Sequence, residues 1–219
     1  MKRASRAALM VACLSPIACA SRPEARPSAA PPAQATDAVQ SHVHAPEHGP
    51  LLPATAGPDY TVADMRFMQD MIGHHAQALV MAALVPTHGA GVDLQRLAQK
   101  IDISQKDEIA FMKRWLAERQ QAVPADGHAH AMHMPGMLTA EQLAQLDRAR
   151  GVEFERLFLR FMIQHHEGAL SMVDALFDAP GAAQESEIFR FATDVDADQR
   201  DEIYVMQSML DMLATGRGS

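Results

Sequence analysis

With a formal net charge of −8 over 219 residues, the chain lacks the basic excess that nucleic-acid binding draws on. Its acidic balance is compatible with cation binding and equally with ordinary solubility. Both cysteines, Cys13 and Cys19, lie near the N-terminus, so the body of the protein has no disulfide and no thiolate ligand, and metal chemistry there rests on His, Met and carboxylates.

Met1-Lys2-Arg3-Ala4-Ser5-Arg6 is basic, and Ala7 to Ala18 is an apolar run too short to span a bilayer. This is the pattern of a signal peptide over residues 1–20. Ala18-Cys19-Ala20 suits ordinary cleavage, whereas Ile17-Ala18-Cys19 resembles a bacterial lipobox in which Cys19 is lipidated, although Pro16 fits that motif poorly. Both endings stand, with the tether-like segment that follows favouring the lipoprotein. The expected location is the periplasm or cell envelope, with a lipid at Cys19 as the one route to a membrane. Loss of Lys2, Arg3 and Arg6 with the signal shifts the formal charge from −8 to −11. Residues 21–58 are rich in Pro and Ala, carry His42, His44 and His48, and show no apolar period, so a disordered linker is expected.

From Asp59 onward apolar residues recur at three- and four-residue intervals, and residues 59–216 are expected to form one all-α domain. A first helix is predicted from near Thr61 to Val85, where Pro86 and Gly89-Ala90-Gly91 stop it. A second runs from about Val92 to Arg119, with Leu94, Leu97, Ile101, Met112 and Trp115 as its apolar stripe. Ala122 to Met137 reads as a loop. Thr139-Ala140-Glu141-Gln142 supplies a capping box for a short helix reaching Arg150, interrupted or kinked near Gly151. A longer helix continues to Phe177, and after Pro180-Gly181 a last one spans about Ala183 to Leu213.

The organising feature is an internal repeat. Phe67 to Met81 lies on Phe158 to Met172 without a gap, sharing Phe67/Phe158, Met71/Met162, Ile72/Ile163, His74/His165, His75/His166, Ala78/Ala169, Leu79/Leu170 and Met81/Met172. Gln105 to Ile109, then Met112 and Leu116, matches Gln199 to Ile203, then Met206 and Leu210. Each half, about 61–119 and 152–213, is therefore a helix hairpin, and two hairpins make a pseudo-twofold four-helix bundle.

Helical spacing puts His75 on one face with Met68, Met71, Ile72, Ala78 and Leu79. His75 and His166 are thus expected to face the core, leaving His74 and His165 at its margin as the more accessible ligands. A lone buried His is usually a core residue satisfied by hydrogen bonds, and Met usually fills gaps. Four His duplicated together with Met71, Met81, Met162 and Met172 shift the reading towards a metal centre. Thioether and imidazole without thiolate suit copper better than magnesium or calcium. Met is also abundant, at 15 residues against 8 Phe, 2 Tyr and 1 Trp, so many of these side chains must serve the core.

Glu108 and Glu202 fall on or near the apolar stripes, and two readings of them stand. Either they ligate a metal or accept the second ring N–H of a ligating His, or they form surface salt bridges. His128, His130, Met132, His133, Met134 and Met137 make the loop the densest run of soft donors in the chain. The Glu-x-x-His pairs of a di-iron bundle, the His-Glu-x-x-His of zinc proteases, phosphate loops and dinucleotide fingerprints are all missing.

Met71-Ile72-Gly73-His74-His75, Gln105 to Ile109, Met134-Pro135-Gly136-Met137 and Met162-Ile163-Gln164-His165-His166-Glu167-Gly168-Ala169 together resemble the CopM-like family, the bacterial domain of unknown function numbered three-oh-five. The resemblance covers about Asp59 to Leu213. It implies a ferritin-like four-helix bundle, an envelope location and, for CopM-type members, binding of a copper ion. By matching positions it carries over His74, His75, His165 and His166 with Met71, Met81, Met162 and Met172. The halves differ at Gly73/Gln164 and Ala76/Glu167, so two sites need not be equal. Beside this reading as a non-enzymatic copper-binding protein stand a redox metalloenzyme using Glu108, Glu202 and Glu167, and a metal-free structural module whose His pairs bond across the core.

Overall fold

A computed structural model describes residue 57, residues 59–125 and residues 134–216. The expected signal peptide, nearly all of the linker, and His128, Met132, His130 and His133 lie outside the described residues. The described regular structure is entirely helical: α1 is Val62–Ala82, α2 Val92–Glu118, α3 Ala140–Arg148, α4 Gly151–Asp178 and α5 Ser186–Ala214. No helix among these residues is long and apolar enough to cross a membrane.

Local chemistry sets the ends. Thr61 caps α1, its Oγ1 accepting the Asp64 N–H at 3.2 Å while the Asp64 carboxylate accepts the Thr61 N–H at 2.7 Å. The first helix stops at Ala82 instead of reaching Val85, because Pro86 offers no N–H and its ring crowds the carbonyl four residues back. Val85–Thr87 tightens into a 3-10 turn instead. The expected capping box at Thr139 and Gln142 is present. The interruption near Gly151 is a complete break, made by Gly151 at φ 58°, whose N–H donates to the His88 carbonyl at 2.8 Å. The last helix starts at Ser186, later than expected, because Gly181 at φ 75° and Ala183 at φ 53° fold Ala182 and Ala183 inward.

α1 packs chiefly on α2 and α4 chiefly on α5, so each half of the repeat is a helix hairpin, and α1 against α4 joins the two. α3 lies on α4. The core falls into two apolar clusters. One holds Met68, Met71, Met112, Trp115, Val173 and Val195; the other holds Met81, Leu94, Ile101, Phe158, Met162 and Met206. On every long helix the two clusters are separated by the same kind of interval: His74 and His75 on α1, Gln105 and Glu108 on α2, His165 and His166 on α4, Gln199 and Glu202 on α5. A polar layer crosses the middle of the bundle.

Asp64 joins distant parts of this frame. It is fully buried, and while one carboxylate oxygen closes the α1 cap the other accepts the buried Ala183 N–H at 2.7 Å. Asp64→Ala removes a cap and orphans a buried donor, and is expected to cost roughly 2–4 kcal/mol in urea unfolding. A loss below about 1 kcal/mol would show that the α4–α5 connection holds without it.

Candidate metal centre

All four paired histidines are buried, with at most 1% of each exposed. The expectation that His74 and His165 sit at an accessible margin is therefore corrected. The reason is the chain at Met134 to Leu138, which crosses α1 and α4 and covers that side. The Pro135 carbonyl receives the His74 Nε2–H at 3.0 Å, and the Leu138 backbone is held at both its groups by the Gln77 amide, at 2.7 and 3.0 Å.

Each imidazole has its Nε2 committed to an oxygen. His75 Nε2 stands 2.5 Å from Glu108 Oε2 inside the first hairpin, and His166 Nε2 stands 2.8 Å from Glu202 Oε2 inside the second. His165 Nε2 donates across the hairpins to the His74 carbonyl at 2.9 Å. Carbonyls and carboxylates only accept, so every Nε2 carries the hydrogen, and in the neutral ring Nδ1 is left as a bare lone pair. None of the four Nδ1 atoms has a hydrogen-bond partner among the described residues. The rings of His74 and His165 meet with centroids 3.9 Å apart, and His75 and His166 lie 6.5 and 6.1 Å from their chain neighbours' rings.

The same layer holds the other buried side-chain polar atoms without partners among the described residues: both amide atoms of Gln105, Oε1 of Gln199 and Oε1 of Glu202. Lys100 Nζ approaches that last oxygen at 3.3 Å as an ion pair. Gln105 and Gln199 entered the sequence reading only as ends of the matched repeat, not as site residues. Their signal was the repetition of Gln three residues before each Glu. His88, equally missed, is a useful contrast: it is 4% exposed, but Nδ1 pairs with Thr87 Oγ1 at 2.9 Å and Nε2 with the Asp147 carbonyl at 3.0 Å. A structural histidine in this protein has both nitrogens satisfied.

Burial, reinforced by the neighbouring His75, lowers the His74 pKa from 6.5 to about 3, and burial with His74, His166 and His75 drives His165 well below its ordinary value. Both rings are neutral at pH 7. Burial pushes the Glu202 carboxyl up, but its hydrogen bond to His166 and the Lys100 ammonium beside it outweigh that, and the net shift is downward.

Met71 and Met162, one turn before the His pairs, are buried against opposite faces of the layer. Met81 and Met172 stand two turns beyond His74 and His165, an axial rise of about 10 Å, and belong to the apolar clusters or their edge. The structure does not bring them into the layer. Met134 and Met137 are half-buried on the crossing segment, and Glu167 is exposed. Among the described residues no three His, Cys, Asp or Glu side chains converge on one point. The donors come instead as partnerless imidazole Nδ1 atoms with thioethers one turn away. That set fits a soft cation content with few ligands, such as copper(I), better than a hard ion that needs six oxygens.

Fold and site thus define a helical bundle made of two His-bearing hairpins around a buried imidazole layer. Residues 64–210 match the family model described as a domain of unknown function, DUF305, and the chain belongs to that family. It is similar to a DUF305 fragment from Deinococcus radiodurans, at 32% identity and TM-score 0.62, over 70% of this chain and 99% of that one. A DUF305 protein from Streptomyces coelicolor, named as a candidate secreted protein, is 28% identical with TM-score 0.62 over 69% and 92%. CopM in its Cu(II)-bound form is 29% identical with TM-score 0.57 over 68% and 95%, and in its Cu(I)-bound form 28% identical with TM-score 0.54 over 66% and 93%. No curated protein matches the chain.

The depressed His74 and His165 pKa values tie stability to pH. Below 6.5 the unfolded chain takes up protons that the folded layer refuses until about pH 3 at His74, so stability present above 6.5 is lost as pH falls. Denaturant melts of the metal-free protein between pH 7 and pH 4 are expected to fall by about a few kcal/mol, with a shallower slope for His74→Gln. Equal slopes for the two proteins would contradict the burial of a neutral His74.

Proposed function

We propose that the protein is a non-catalytic copper-binding protein of the bacterial envelope that holds the ion at the imidazole layer, chiefly through Nδ1 of His74, His75, His165 and His166 with Met71 and Met162 beside them. The observation that carries this reading is the concentration of partnerless buried polar atoms in that one layer. Each such atom costs about 1–3 kcal/mol, and a layer serving only to join helices gains nothing by retaining four of them on neighbouring rings. Glu108 and Glu202 act here as partners of His75 and His166, fixing the tautomer that presents Nδ1. The Cu(I)- and Cu(II)-bound forms of CopM support copper as the ion. The candidate secreted relative and the basic-apolar N-terminus support export, ending either in ordinary cleavage or in a lipid at Cys19.

The redox-enzyme reading draws on Glu108, Glu202 and Glu167; the first two meet His75 and His166 in the layer, whereas Glu167 is on the surface. The structural-module reading draws on the two His–Glu bonds, but it leaves the Nδ1 atoms without a role.

Titration of the metal-free protein with copper(I) against a competing chelator decides between these. Binding is expected to raise the melting temperature, by linkage worth about 2.7 kcal/mol when free ion is 100 times Kd. His74→Ala with His165→Ala is expected to abolish most of that gain while the circular dichroism stays helical. Unchanged affinity in the double variant would remove the layer as the site, and no thermal shift in the parent would favour the structural module.

A further inference from the structure

We propose that the turn Met134-Pro135-Gly136-Met137 is the port of the imidazole layer: its two thioethers capture a soft monovalent cation, and its release from His74 passes the ion inward. This rests on the metal-binding reading above. Gly136 has φ 75° and the Met137 N–H points back to the Met134 carbonyl at 3.4 Å. With Pro at the second position and Gly at the third, this is a type II turn, whose first and fourth residues stand within about 7 Å at their Cα atoms. The turn therefore places Met134 and Met137 side by side, both half-buried. Two neutral thioethers suit copper(I) or silver(I) and discriminate against hard divalent ions.

The same turn is bonded directly to the layer. Its central carbonyl, on Pro135, is the acceptor of the His74 Nε2–H. Holding it in place are the Gln77 amide, bonded to both backbone groups of Leu138, and Gln164 Nε2, which donates to the Gly136 carbonyl at 3.2 Å. Gln142 Nε2 in turn donates to Gln164 Oε1 at 3.3 Å. The turn sits so close to α4 that a Cβ added at Gly168 would collide with the Pro135 carbonyl oxygen, and one at Gly136 would fall 2.5 Å from the Gln164 carbonyl oxygen.

The repeat shows that these contacts are particular to the port. In the gapless alignment Gly73 faces Gln164 and Gln77 faces Gly168, so Gln and Gly exchange places between the halves. Gln164 and Gly168 meet the turn itself, and Gln77 holds the residue that follows it. These substitutions break the twofold pattern on the side where the turn crosses.

A cation reaching His74 and His165 by this route must first displace the Pro135 carbonyl from His74. Opening loses the hydrogen bonds of Gln77 and Gln164. The bundle itself need not unfold, because Leu138, whose side chain is buried in the second apolar cluster, can stay seated while the turn before it swings away.

Stopped-flow transfer of copper(I) from a chromophoric chelate to the full chain tests the port. The Met134→Leu/Met137→Leu double variant, which keeps the apolar bulk, is expected to slow transfer several-fold. Gln77→Ala, which frees Leu138, is expected to speed it by about tenfold. Gly168→Ala, which forces the turn off α4, should act in the same direction, with its helical signal and melting temperature measured alongside, and Gln77→Ala carries the test should Gly168→Ala fail to fold. Unchanged rates in the leucine double variant, or no acceleration in Gln77→Ala, overturn the port while leaving the layer as a binding site. A parent protein that takes up no copper(I) at equilibrium overturns the metal-binding reading, and the port with it.

Discussion

Four imidazoles buried in one plane of the bundle each surrender Nε2 to an oxygen, and the register of the helices follows from that commitment. His75 to Glu108 sets α1 against α2, His166 to Glu202 sets α4 against α5, and His165 to the His74 carbonyl sets one hairpin against the other. Apolar contacts alone tolerate sliding, since Leu, Met and Ile pack in many ways. Directional bonds in a dry interior do not, because a slip of one turn would strand both partners. The layer can therefore specify the pairing of two similar hairpins that the apolar clusters only hold together.

That specification has an energetic tension built into it. A carboxylate in this setting is stabilised by its imidazole, and Glu202 also by Lys100 at 3.3 Å, so the acidic half of the layer is satisfied. Gln105, by contrast, is 1% exposed with neither amide atom bonded, and the Nδ1 atoms share that condition. His88 shows that the same fold can satisfy a buried imidazole completely, using a threonine hydroxyl and a backbone carbonyl. Since the chain has the means to satisfy a histidine, four left half-satisfied together are better explained by a guest than by imperfect packing.

How far the sequence revealed this depended on whether the cause was local or crossed the bundle. The repeat gave the hairpins because the periodicity is carried by each helix alone, and Thr139 with Gln142 announced its cap because both partners lie within one turn. The Thr61 cap escaped notice because its third-position partner is Asp64, a less familiar choice than Glu or Gln. Helix spacing placed Glu108 and Glu202 on inward stripes but could not tell which atom they meet, since that is fixed by the register of a second helix. His74 was misplaced for a related reason. Its helix face does lie at the margin of the hairpin core, and only the crossing of Pro135 and Leu138, about 60 residues away in sequence, buries it.

The departures from symmetry sharpen the same point. A perfect duplication would give two equivalent hairpins and an open groove on both sides of the α1–α4 seam. The chain, however, joins its hairpins once, and that single connection must run over one side of the seam. The positions beneath it are then no longer equivalent: one helix needs a long amide at Gln77 to hold the Leu138 backbone, while its repeat partner, Gly168, must be without a side chain to let Pro135 approach. The histidines that meet at the seam stay identical in both halves, and so do Gln105/Gln199 and Glu108/Glu202. The halves diverge beneath the connection, as they do at outer positions such as Ala76/Glu167, while the layer itself keeps its twofold chemistry.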